Sequence, residues 1–208
     1  MLATIAYIAT IPLVYEYFVV MMMSLVHYNL THKIEVFYTR ANHGSQADAR
    51  NELVDNMQGD WLFMIDTDMS FEPDTFEKIL KLAQENNLEV VSGLYYQRQS
   101  PYHPVAYTLK DGKYYSWDPK EIKDLDLVPS MGVGGGCLLV KSTVFKRIKE
   151  ELGEKPFSVI PPLSEDLSFC KRLEKLDIQP YIAVNIEVGH LALKEVTRSD
   201  FLRRKDGK

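Results

Sequence analysis

The sequence predicts an α/β fold in which helices flank a mostly parallel central sheet, with a smaller antiparallel part towards the carboxyl end. Three observations lead to this prediction. In the first half of the chain, short apolar runs that suit strands alternate with helical patterns. One of these runs, residues 61–65, is apolar throughout, as expected of a strand buried on both faces. In the second half, residues 110–113 form a tight turn signal between two strand-like segments, which is typical of a hairpin.

The first half is predicted to contain four strands and three helices in strict alternation. Ile11 and Pro12 mark a turn after the first strand, and Pro73 with Asp74 behind it suits the first turn of a helix. The first helix is expected to be buried, because its sequence is apolar almost throughout. The predicted strands are residues 4–10, 33–38, 61–65 and 89–95, and the predicted helices are residues 14–29, 49–57 and 73–85.

The second half has a different pattern, with strands that pair locally and a glycine-rich segment. Predicted in order are strands 102–109 and 114–117, a charged surface loop 119–126, a strand 128–140, a helix from residue 142, a helix 164–176 and a strand pair 180–188. The chain is therefore predicted to be one domain, residues 1–208. It comprises a nucleotide-binding half (about 1–98), a half that receives a second substrate (about 99–195) and a tail (196–208).

The amino-acid composition limits which kinds of molecule the protein is expected to bind. The hydrophobic content of 46% suffices for a real core, and the net charge of -5 argues against nucleic acid as a partner. Cys137 and Cys170 lie among apolar neighbours and have no metal-site spacing, so they are predicted to be buried thiols of a cytoplasmic protein. The apolar amino-terminal stretch lacks a signal-peptide pattern, and Pro12 and Glu16 interrupt it, so we expect no membrane span. Peripheral contact with a membrane stays open, as does the oligomeric state.

A pair of acids follows the apolar strand directly. Asp66 and Asp68, separated by Thr67, project from the carboxyl end of a buried strand, where open α/β sheets bind their ligands. In extended backbone their side chains lean to the same side. Two such oxygen ligands suit Mg²⁺ or Mn²⁺ and leave room for water and phosphate. The alternative is a solvated turn in which an Asp caps the next helix.

Further candidates lie at the starts and ends of predicted elements. Glu165 and Asp166 open a helix behind the cap residue Ser164, where they either stabilise the helix dipole or act as a general base. His190 ends the last strand segment and is either a core or surface residue or a third metal ligand. Arg50 either lies on an exposed helix face or points at a diphosphate. The glycines of residues 132–136 are expected to form a wall of the substrate pocket, because they match neither dinucleotide nor P-loop patterns.

The order of these motifs resembles the metal-dependent glycosyltransferases of the GT-A fold, closest to the family 2-like members. The resemblance spans roughly residues 3–190, and its motifs are residues 9–12, Ala49-Arg50-Asn51, Asp66-Thr67-Asp68, the glycine-rich residues 132–137, Ser164-Glu165-Asp166 and His190. It implies a GT-A-like fold and transfer of a hexose from a UDP- or GDP-sugar to a hydroxyl of a carbohydrate, lipid-linked or protein acceptor.

The resemblance also implies roles for individual residues. Thr10, Pro12 and Arg50 would lie near the nucleotide. Asp66 would contact ribose or metal, and Asp68 and His190 would bind Mn²⁺ or Mg²⁺. Asp166, with Glu165 as second choice, resembles the family's catalytic base. A base opposite the leaving group implies inversion at the anomeric carbon. Some GT-A enzymes retain configuration with a similar Asp-x-Asp and His.

Two other classes of protein compete with this interpretation. Phosphohydrolases of the haloacid dehalogenase type also place Asp-x-Asp after a buried strand, but there the motif usually follows the first strand, whereas here it follows the third. A non-catalytic module that binds sugar nucleotides or carbohydrates would show the same donor contacts without turnover.

Overall fold

The computed structural model describes residues 2–8, 16–42 and 44–192 of the 208-residue chain. Within these ranges the chain forms six helices and twelve strands. The helices are α1 (Glu16–Thr31), α2 (Gln46–Asn56), α3 (Thr75–Glu85), α4 (Pro119–Ile122), α5 (Ser142–Leu152) and α6 (Glu165–Lys175). The strands are β1 (Ala3–Ile8), β2 (Val36–Ala41), β3 (Trp61–Asp66), β4 (Met69–Ser70), β5 (Val90–Leu94), β6 (Ala106–Lys110), β7 (Lys113–Ser116), β8 (Leu127–Pro129), β9 (Gly132–Val133), β10 (Cys137–Lys141), β11 (Tyr181–Glu187) and β12 (Gly189–His190).

Seven strands form the central sheet, in the order β2-β1-β3-β10-β5-β11-β8. Strands β2, β1, β3, β5 and β11 run in one direction, while β10 and β8 run in the other. The predicted α/β fold with a mostly parallel sheet is confirmed. The antiparallel strand β10 lies inside this sheet, between β3 and β5, while β7, β6 and β9 form the smaller antiparallel sheet.

Strand β3 is the buried centre of the sheet, as its unbroken apolar run predicts. Leu62 and Met64 face a core formed with α2, α5 and α6, whereas Phe63 and Ile65 face a second core formed with α1 and α3. Helices therefore cover both faces of the sheet, and a strand in this position needs apolar side chains in both directions.

The first helix is less buried than its sequence predicts. Phe18 and Leu25 of α1 pack into the core, but Val20 and Met23 are 55% and 67% exposed. A single helix that lies on one face of a sheet buries only one side, so the prediction of a buried helix is correct for one side of α1 and wrong for the other. Among the helices of the described ranges, none has the length and apolar character needed to cross a membrane.

Several helices and strands begin at residues other than those predicted, because local hydrogen bonds determine where each element starts. Strand β2 begins at Val36 rather than at residue 33, since residues 32–35 turn the chain out of α1 and Ile34 N donates to Asn29 O. Helix α2 begins at Gln46, three residues earlier than predicted, because Ser45 caps it by accepting from Asp48 N. The predicted surface loop 119–126 is wrong in part, because α4 occupies its start and buries Ile122.

In the second half, the hairpin is confirmed and the glycine-rich strand is not. Asp111 and Gly112 both adopt positive φ between β6 and β7, as a two-residue hairpin turn requires. The predicted strand 128–140 is divided into three short strands, β8, β9 and β10. Residues 130–131 and 134–136 connect them, and the chain changes direction at each connection. The predicted strand pair 180–188 is the single strand β11, and the following β12 pairs with β4.

Candidate functional site

The polar residues predicted to form a site lie at one edge of the central sheet. The carboxyl ends of the parallel strands β1, β3, β5 and β11 meet there around a cleft of about 620 Å³, a volume typical of ligand sites. The residues lining this cleft include seven acidic, basic and imidazole side chains, which are Arg50, Asp66, Asp68, Arg98, Glu165, Asp166 and His190. Six of them, all except Arg98, are predicted site residues that come from distant parts of the sequence, and the fold brings them together.

Arg50 joins the acids of two different elements at the base of the cleft. Its side chain on α2 is 1% exposed, and its Nη2 lies 3.2 Å from both carboxylate oxygens of Asp66. Its Nε lies 3.5 Å from Glu165 Oε1 and 3.3 Å from Asp166 Oδ1, and its Nη1 donates to Gly135 O at 3.1 Å. Burial would lower the pKa of Arg50, but the three carboxylates outweigh it and raise that pKa above its usual value. The guanidinium is thus engaged by the protein, and contact with a diphosphate stays a prediction.

The acids of α6 sit in the first turn of the helix, as predicted. Ser164 accepts from Leu167 N and caps the helix, so Glu165 and Asp166 are held at its amino-terminal end. Burial raises the pKa of Asp166 to about 7, with Glu165 and Asp66 adding to the rise and Arg50 opposing it. A carboxylate with a pKa near neutrality is suited to accept a proton at physiological pH.

The glycines of the second half pack beneath the site instead of lining the cleft. A Cβ on Gly135 would lie 2.3 Å from Arg50 Cζ, and a Cβ on Gly134 would lie 2.0 Å from the hydroxyl of Tyr95. Gly136 N donates to that hydroxyl at 3.1 Å. The prediction of a pocket wall is wrong, because buried side chains occupy the space that these glycines leave open.

Asp68 and His190 meet through a small antiparallel ladder that the sequence did not reveal. Strand β4 follows Asp68 directly and pairs with β12, which contains His190, and Leu191 N donates to Asp68 O at 2.7 Å. The two side chains approach to 3.3 Å between Asp68 Oδ2 and His190 Nε2. The other ring nitrogen, Nδ1, lies 2.8 Å from Tyr96 O. Two-residue strands have no periodicity, so only the pairing itself identifies them.

The orientation of His190 fits a metal ligand. A carbonyl oxygen only accepts, so Nδ1 holds a proton, and Nε2 is the ring nitrogen that faces the carboxylate of Asp68. When the ring is neutral, the lone pair of Nε2 is the one available to a cation. A carboxylate and an imidazole nitrogen this close together can share a cation, and a backbone carbonyl behind the imidazole is the usual support of a metal-bound His.

The described residues contain no group of three or more His, Cys, Asp or Glu side chains arranged to hold a metal. Asp68 and His190 would provide two ligands, while both oxygens of Asp66 accept from Arg50. Mg²⁺ and Mn²⁺ are often bound by few protein ligands together with water and substrate phosphates, so the pair fits such an ion.

Arg98 is the functional candidate that sequence reasoning missed. It follows β5, and its Nη1 lies 3.0 Å from Asp68 Oδ2. Burial raises the pKa of Asp68, but His190 and the charge of Arg98 together hold that pKa below its usual value. The sequence could have indicated Arg98, because this residue comes soon after the carboxyl end of a buried strand. Asp66 and Asp68 were identified by the same kind of position. Two other predicted nucleotide contacts, Thr10 and Pro12, lie outside the described residues.

Comparison with known proteins agrees with this architecture. The family model described as Glycosyl transferase family 2 matches residues 22–149. No curated protein matches the chain. Among solved structures, 294 chains match, and one of them is the crystal structure of GalNAc-T7 with UDP, GalNAc and Mn²⁺. That match has a TM-score of 0.63 and 10% sequence identity, and it covers 92% of this chain but only 43% of the GalNAc-T7 chain.

At 10% identity, the likeness to GalNAc-T7 shows the fold alone. The family model, in contrast, matches more than half of the chain and includes the strand that ends in Asp66. The sheet order, the polar edge and the family match therefore lead to one assignment: the chain belongs to glycosyl transferase family 2 and has the GT-A fold.

Proposed function

We propose that this protein transfers a hexose from a UDP- or GDP-sugar to a hydroxyl of a carbohydrate, lipid-linked or protein acceptor, with inversion at the anomeric carbon. The single observation that supports this most is the convergence of Asp68 and His190 with Glu165 and Asp166 in one cleft. The first pair suits a metal-bound diphosphate, and the second pair suits proton removal from an acceptor. Membership of glycosyl transferase family 2 supports the same reaction class.

On the donor side, Asp68 and His190 would hold Mn²⁺ or Mg²⁺, and Asp66 would be the further ligand or ribose contact that the family resemblance implies. The bound ion would stabilise the negative charge that develops on the departing nucleoside diphosphate. The cleft has four carboxylates and two guanidiniums, so a diphosphate needs additional positive charge to enter it.

On the acceptor side, Asp166 is the general base. Its pKa of about 7 lets it accept the proton of an acceptor hydroxyl near neutral pH, and Arg50 Nε, 3.3 Å away, holds the carboxylate in position. Attack from the side of Asp166, opposite the leaving diphosphate, gives inversion. Glu165 is the second candidate, since it lies 3.5 Å from the same nitrogen.

The competing classes differ from this proposal in what they would bind and convert. Family membership disfavours a haloacid-dehalogenase-type phosphohydrolase, which would hydrolyse generic phosphoesters and lose that activity in Asp66→Asn. A non-catalytic module would bind donors but release no nucleoside diphosphate with any acceptor.

Calorimetric titration with a panel of nucleotide sugars, with and without Mn²⁺, tests the donor side. We expect binding of a UDP- or GDP-sugar that requires the metal. Asp166→Asn should keep this binding and reduce nucleoside diphosphate release by about a hundredfold or more, as the loss of a general base does. Glu165→Gln serves as the matched control and should lose less. The absence of metal-dependent binding would contradict the proposal, and unchanged transfer in Asp166→Asn would remove Asp166 from the role of base.

A further inference from the structure

Arg98 and Arg50 are the two permanently cationic side chains among the described residues that line the cleft. They differ in how many hydrogen-bond donors of the guanidinium remain available to a ligand. Arg50 is 1% exposed and already contacts three carboxylates and a backbone carbonyl. Arg98 is 50% exposed and contacts one carboxylate oxygen, so most of the donors of its guanidinium face the cleft or solvent. Of the two, Arg98 is the one that an anionic ligand can reach.

The partner of Arg98 is the predicted metal ligand Asp68. Arg98 Nη1 and His190 Nε2 lie 3.0 and 3.3 Å from the same oxygen, Asp68 Oδ2. A cation held by Asp68 and His190 would compete with Arg98 for the carboxylate of Asp68. The guanidinium therefore supplies, in the protein alone, positive charge at the position where the ion would supply it.

Backbone contacts anchor the two residues before Arg98, and half of the Arg98 side chain is exposed. Tyr96 pairs with Pro104, and Gln97 N donates to His103 O at 2.8 Å, which closes a loop at the rim of the cleft. Arg98 is the next residue in this loop. A long side chain on an anchored backbone can move from Asp68 to a group bound beside it without rearrangement of the fold.

From these contacts we propose that Arg98 changes its ion-pair partner when the donor site is filled. In the protein without ligands it pairs with Asp68; when metal and donor bind, the ion takes its place on Asp68 and the guanidinium turns to the diphosphate of the nucleotide. This inference rests on the proposed function, because it assumes a nucleoside diphosphate in the cleft. It predicts that a single substitution shifts the affinities for metal and for nucleotide in opposite directions.

The test uses the full chain with Arg98→Gln and Arg98→Lys, and with Arg147→Gln as the matched control. Arg147 is also a partly exposed arginine paired with a carboxylate, but it lies outside the cleft, on α5. Binding of Mn²⁺ alone is followed by electron paramagnetic resonance of the free ion. Binding of UDP and of GDP is followed by calorimetry at saturating Mn²⁺.

For Arg98→Gln we expect Mn²⁺ alone to bind about two- to fivefold more tightly, the size of effect that an exposed ion pair exerts. UDP or GDP should bind about ten- to a hundredfold more weakly, because charge-assisted hydrogen bonds to the phosphates are lost. Arg98→Lys keeps the charge without the fork and should recover part of the nucleotide affinity. Arg147→Gln should match the wild type in both measurements.

Each outcome distinguishes this inference from the proposed function. If the wild type binds UDP or GDP with Mn²⁺ and Arg98→Gln binds it equally well, the contact between Arg98 and the diphosphate is overturned. If Mn²⁺ affinity does not change in Arg98→Gln, the exchange on Asp68 is overturned. If the wild type itself binds neither nucleotide, the proposed function fails, and the inference fails with it.

Discussion

At the scale of single residues, Arg50 determines whether the acids of the site can coexist. Asp66 from β3 and Glu165 and Asp166 from α6 all lie within 3.5 Å of its guanidinium. Three carboxylates that share a small region of low dielectric repel one another strongly unless a buried cation lies between them. The side chain of Arg50 therefore stabilises the fold and positions the proposed base at the same time.

We expect Arg50→Met to lower the free energy of unfolding by about 3 kcal/mol, the lower end of the range for breaking a buried ion pair, since the acids are partly hydrated. The loss should be larger at about pH 8 than at about pH 5. Arg50 lowers the pKa of Asp166, so its stabilising effect is present when that carboxyl is ionised, above about 7, and fades as the carboxyl becomes protonated. Urea denaturation at the two pH values measures both effects. Arg147→Met, at a partly exposed ion pair, should change stability by less than about 1 kcal/mol at either pH.

At the scale of elements, the link between β9 and β10 shows why a glycine-rich segment need not bind ligand. Residues 134–136 pass directly beneath Arg50 and Tyr95, and any side chain there would occupy their space. The sequence displays the glycines but not the neighbours that require them, because Arg50 and Tyr95 come from α2 and from the end of β5.

Gly135→Ala tests this packing role. Its Cβ would lie 2.3 Å from Arg50 Cζ, so Arg50 must shift, and we expect a loss of about 1–3 kcal/mol in the free energy of unfolding, as in other overpacked cores. Gly44→Ala is the matched control. A Cβ on Gly44 meets nothing within 4 Å, so this substitution should change stability by less than about 0.5 kcal/mol. Equal urea midpoints for the two variants would contradict the packing role.

At the scale of the whole molecule, the central sheet joins the two predicted halves. Strand β10, from the second half, lies between β3 and β5 of the first half, and β5 pairs only with β10 and β11 within the described sheet. A fragment that ends at residue 98 would leave β5 without a partner strand. The boundary near residue 98 therefore separates two parts of one sheet.

We expect residues 1–98 alone to show no cooperative urea transition, because the fragment lacks β10 and exposes the apolar side chains of β3 and β5. A chain that ends at residue 192 retains every described element and should unfold cooperatively. Circular dichroism during urea titration compares the two. A cooperative transition of the shorter fragment would show that the first half is an independent folding unit.

What the sequence by itself determined is local or periodic. The alternation of strands and helices, the buried run of β3, the hairpin turn at Asp111 and Gly112 and the cap at Ser164 each follow from a few neighbouring residues. The acids Asp66, Asp68, Glu165 and Asp166 were found in the same way, because they stand at the starts and ends of such elements.

The tertiary structure alone decided which elements became neighbours. It inserted β10 into the sheet, paired β4 with β12 so that His190 reached Asp68, buried Arg50 among three acids and set Arg98 against Asp68. It also left Val20 and Met23 of α1 exposed, although the sequence of this helix predicts burial. The physical reason is common to all of these features: they depend on contacts between residues distant in the chain, and local sequence patterns do not encode such contacts.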